Sequence, residues 1–161
     1  MNRKNKGISP VVATVIIVAI AIALAIAVAL WASGLVGIFT RFEEVKVISA
    51  YAEAGTNAGD FIVSMDIKNT GSADATIDNV IINGKPFQSY AAGTIRISVM
   101  IENTNYDLDP NTGKSVSLKS GQIGTMTIDI PAAIGFKSGQ TLDIKIHTAA
   151  GHDYAKAVVL P

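Results

Sequence analysis

The chain has 161 residues, long enough for one ordinary domain and an appendage, and it is 49% hydrophobic but only 16% charged. Thirteen basic residues balance thirteen acidic ones, and there is no cysteine. Disulfides and thiolate metal sites are therefore excluded, and no basic stripe supports a nucleic-acid partner.

The apolar excess sits at one end. Arg3, Lys4 and Lys6 precede a run that carries no Asp, Glu, Lys, Arg or His until Arg41. Ser9 suits an N-cap and Pro10 the first helical position, so the spacing predicts a helix from Pro10 to about Thr40. Such a helix exceeds both the ~20 residues that span a bilayer and the h-region of a secretory signal. The preceding basic residues place the N-terminus in the cytoplasm and everything after Phe39 outside. Within AIAIALAIAVAL (19–30), alanine alternates with larger aliphatics. Two residues turn ~200° on a helix, so the alanines spread around its circumference and allow close neighbours on every side. The core of a multi-helix assembly would then draw on Val11, Val15, Ile22, Ala25, Ala29, Trp31, Leu35 and Phe39. Trp31 also suits an interfacial anchor.

The stretch KGISPVVATVI (6–16) resembles the processing site of an archaeal type IV pilin precursor. The resemblance covers residues 4 to about 40, and Ser9-Pro10-Val11 matches a wording common in that family. It implies a leader of residues 1–7, cut between Gly7 and Ile8 by a membrane peptidase, with Lys6 as the basic residue before the glycine. The hydrophobic helix, in a segment 8–44, would anchor the precursor and later form the filament core. Val12 stands where bacterial relatives usually have Glu, which favours an archaeal member. The phrase IKNTGSADATIDNVIING (67–84) is similar in style to archaeal pilin and archaellin head domains.

From residue 45 to 161, short alternating runs are separated by turn residues. Strands are predicted over 45–53, 60–68, 75–87 with Asn83-Gly84 as a hairpin turn, 94–102, two runs in 113–130, 140–148 and 152–160. Seven or eight such strands in a domain of this length predict an immunoglobulin-like antiparallel β-sandwich, and the whole chain an α+β protein.

Candidate chemistry is sparse. Asp107, Asp109 and Asn111 alternate as in a calcium loop, but the glycine comes one place late at Gly113 and Leu118 stands where a bidentate Glu belongs. A solvated Asp-Pro-Asn-Thr-Gly turn is the better account of the phrase, and no metal is expected. His147 and His152 have no nucleophile placed beside them, and no cofactor or catalytic motif occurs. No N-x-Ser/Thr sequon occurs either. The expectation is a non-enzymatic structural subunit without cofactors. It would polymerise with itself into an extracellular adhesion filament, served by a prepilin peptidase and assembly machinery in the membrane. The alternatives are an archaellin-type motility subunit and a monomeric, membrane-anchored β-sandwich binding module.

Overall fold

The computed structural model describes residues 9–34, 41–90 and 95–161. Lys6, Gly7, Ile8, Leu35 and Phe39 lie outside the described residues. The chain divides into two compact units, 1–41 and 42–161.

Among the described residues the first unit contains one helix, α1, Pro10–Ala32. Pro10 opens it as predicted, because its missing N–H is one that a first turn leaves unpaired anyway. Ser9 occupies the N-cap, and its carbonyl accepts from the Ala13 N–H at 3.1 Å. Its hydroxyl makes no capping bond, so only the position and not the expected side-chain cap is realised. The helix also ends earlier than expected. Ser33 N–H closes on Ala29 O and Gly34 N–H on Trp31 O, with Gly34 at φ +70°. A left-handed residue after the last turn terminates a helix, and glycine adopts it without steric cost.

The second unit is a two-sheet antiparallel sandwich. Its strands are β1 Val45–Ala54, β2 Phe61–Asn69, β3 Ala75–Ile82, β4 Lys85–Pro86, β5 Arg96–Ile101, β6 Thr104–Leu108, β7 Val116–Leu118, β8 Ile123–Ile130, β9 Thr141–Thr148 and β10 Asp153–Val159. One sheet runs β1-β2-β8-β5-β6 and the other β10-β9-β3-β4, with β7 also paired to β3. With β1, β2, β3, β5, β8, β9 and β10 read as strands A to G, the orders are A-B-E-D and G-F-C, the immunoglobulin arrangement. The α+β layout and the sandwich are therefore as expected.

The core is the inward phase of each strand. Val63, Met65 and Ile67 of β2, Met126 and Ile128 of β8, and Leu142, Ile144 and Ile146 of β9 are fully buried. Alternation breaks once in β3, where Ile77 and Val80 are both buried. A bulge between Ile77 and Asn79 makes Asp78 the extra residue and restores the phase. Strand β6 was not anticipated. Four of its five residues are exposed, so no alternation marks it. Its turn at Glu102 and Asn103, both at positive φ, has no Asn-Gly signature, unlike the turn at Asn83 and Gly84.

Candidate assembly site

The candidate surface is α1 itself. Its 23 residues contain no ionisable side chain, and none is buried within the chain. Val11, Val15, Ile22 and Trp31 are all more than half exposed, and Ala25 and Ala29 are exposed as well. The helix is apolar around its whole circumference, as the spread of alanines predicts. Its hydroxyls are satisfied internally. Thr14 Oγ1 donates to Val11 O at 2.9 Å, and Ser33 Oγ to Leu30 O at 3.0 Å. Neither hydroxyl therefore demands water, so the segment meets the requirement for a hydrocarbon or dry protein environment. By length and composition it is able to cross a membrane.

In the second unit the calcium-like phrase forms a turn. Asp109 Oδ1 accepts from Asn111 N–H at 3.1 Å and Oδ2 from Thr112 Oγ1 at 2.9 Å. That Asx turn starts a 3-10 turn at Pro110–Thr112, closed by Gly113 at φ +73°. Asp107 lies on β6 and pairs across to Ser98 of β5. Asp109 is thus engaged with its own loop. Among the described residues no group of three His, Asp or Glu side chains converges as a metal site.

His147 has a partner that sequence reasoning missed. The β3 bulge directs Asp78 toward it, with Oδ1 2.6 Å from His147 Nδ1. This hydrogen bond, reinforced by the charges of Asp78 and Asp153, holds the imidazole pKa above its ordinary value against partial desolvation. Asp78 lies 69 positions away in sequence, and only the bulge brings it into reach. Elsewhere, Asp60 accepts from the Ala132 N–H and from Asn57 Nδ2, and these bonds hold its carboxyl below the usual carboxylate value. Burial raises the phenol of Tyr90, which donates to Ile82 O, and that of Tyr154, which donates to Glu43 O.

No family model matches the chain, and no curated protein does. Among solved structures it is similar to the archaellum periplasmic stator protein FlaG from Sulfolobus acidocaldarius, at 16% identity and TM-score 0.38, over 72% of this chain and 99% of that one. It is also similar to the Iho670 flagellar-like filament, at 14% identity and TM-score 0.40, over 94% of this chain and 98% of that one. A family 123 glycoside hydrolase from Clostridium perfringens shows 15% identity and TM-score 0.39, over 68% of this chain and 22% of that one.

Proposed function

We propose that the chain is a structural, non-catalytic subunit of an extracellular helical filament of the archaeal type IV pilus kind, polymerised through its N-terminal helix. The observation that supports this most is the uncharged, all-round apolar surface of α1. A helix with no polar face is covered on every side by something apolar. Lipid does this for a membrane precursor, and copies of the same helix do it in a filament core. The alanines at 19, 21, 23, 25, 27 and 29 permit close helix approach in either setting. A repeating, non-closing contact of this type builds an open filament. In this reading a membrane peptidase cuts between Gly7 and Ile8, assembly machinery extracts the helix, and the sandwich domains form the outer surface that adheres to cells or solids.

One observation favours the membrane-anchored binding module instead. Helix α1 is ~35 Å long at ~1.5 Å per residue, close to the ~30 Å hydrocarbon thickness of a bilayer. Against it stands the apolar stretch itself, which runs uncharged from Gly7 to Thr40 and exceeds the ~20 residues an anchor needs. The deciding experiment is N-terminal mass spectrometry of protein sheared from the cell exterior, with electron microscopy of the same fraction. Filaments whose subunits begin at Ile8 support the pilin reading. A chain beginning at Met1 that stays with the membrane refutes it and leaves the anchored module. An archaellin-type filament is distinguished by loss of swimming in a deletion strain.

A further inference from the structure

The sandwich unit begins at Phe42, three residues before its first strand, and this short lead is gripped by the turn between β2 and β3. Thr70 N–H donates to Glu44 O at 2.8 Å, and Gly71 N–H reaches the same oxygen at 3.3 Å. Ser72 and Ala73 N–H both donate to Phe42 O, at 2.9 and 3.0 Å. Side chains add to this. Phe42 N–H donates to Ser72 Oγ at 3.1 Å, Thr70 Oγ1 to Glu44 Oε2 at 2.9 Å, and Tyr154 Oη to Glu43 O at 3.3 Å. The Phe42 side chain itself is 55% exposed, so the backbone and not apolar burial provides the hold.

The gripping turn is itself braced from behind. Asn69 is fully buried; its Nδ2 donates to Ala73 O and Leu118 O at 2.8 and 2.9 Å, and its Oδ1 accepts from Gly71 N–H at 2.9 Å. Ser120 Oγ donates to Gly71 O at 2.7 Å. Gly71 is required by proximity. A Cβ there would lie 2.5 Å from Phe42 O and 2.6 Å from Glu44 N, both backbone atoms that cannot swing aside. In the sequence, NTGS reads only as a strand-breaking turn.

We propose that residues 69–73 are a mount that fixes the lead segment 42–44 to the sandwich, with Gly71 and Asn69 as its positioning residues. The sandwich then has no swivel at residues 42–44.

The test is amide hydrogen exchange on the full chain in detergent micelles. The amides of Thr70, Gly71, Ser72 and Ala73 are expected to be protected at least ~100-fold over unbonded turn amides, because exchange requires the mount to open. Gly71→Val should lose ~10-fold or more of that protection and speed tryptic cleavage after Arg41, with β8 and β9 amides unchanged. Wild-type amides at 70–73 exchanging like an open turn would overturn the proposal. So would Gly71→Val with unchanged exchange and cleavage. If Gly71→Val unfolds throughout, the double variant Thr70→Val/Tyr154→Phe removes two side-chain anchors only; faster exchange at 70–73 supports the mount, and unchanged exchange overturns it.

Discussion

Replacing Asn69 with alanine tests whether a buried amide organises the junction end of the sandwich. The side chain is fully buried and makes three hydrogen bonds, two as donor and one as acceptor. A net hydrogen bond is worth ~0.5–1.5 kcal/mol, and each buried group left unpaired costs ~1–3 kcal/mol. Gly71 N–H keeps a longer contact with Glu44 O at 3.3 Å, so the Ala73 and Leu118 carbonyls bear most of the loss. The expected destabilisation is ~3–4 kcal/mol, or ~10–15 °C in Tm for a domain of this size. The assay is urea unfolding of residues 42–161, a unit with its own core, followed by far-UV circular dichroism. Asn69→Asp keeps the acceptor, loses both donors and buries a charge, so it should be worse than alanine at neutral pH and ease as acid protonates it. An Asn69→Ala midpoint shift equivalent to less than ~1 kcal/mol, at unchanged m, would refute the reasoning.

Three further outcomes are expected. His147 should titrate above ~6.5 by NMR, and Asp78→Asn should bring it back toward that value. Because the folded pKa is raised, the pair stabilises fully below ~6.5 and its contribution fades as pH rises through the folded pKa; an Asp78→Asn stability loss that is the same at pH 5 and pH 9 would contradict this. Asp109→Ala should cost about 1 kcal/mol through its Asx turn, and millimolar calcium or a chelator should leave the wild-type Tm unchanged; a calcium-dependent Tm would restore the metal reading. Ala25→Asp should abolish filament assembly, because an unpaired charge in a dry helix bundle is costly; normal filaments under electron microscopy would sink the buried-core assignment.

Much of the sandwich was legible because its strands obey a period of two over lengths that turn residues bound. PheIleValSerMetAspIleLys of β2 and ThrLeuAspIleLysIleHisThr of β9 state which face is inward before any partner is known. Asn83-Gly84 announces its hairpin because both residues adopt positive φ readily. Strand β6 was illegible for the opposite reason: at an edge, with one buried residue in five, pairing alone makes it a strand.

The candidate site divides in the same way. Local chemistry determined the uncharged run, the helix start at Pro10 and the absence of any polar face on α1. Composition alone could not place the helix end, since Leu35 to Phe39 are as apolar as what precedes them, and the left-handed Gly34 decided it. The Asp78–His147 pair needed β3 and β9 to pair, with a bulge between Ile77 and Asn79 that leaves Asp78 as the extra residue. The mount needed a turn to fold back on a segment nearly thirty positions earlier, with Asn69 beneath it. Periodicity and propensity act over a few residues and can be read from the chain. A buried amide with three partners, or a glycine required by another segment's backbone, depends on distances that exist only once the sheets have formed.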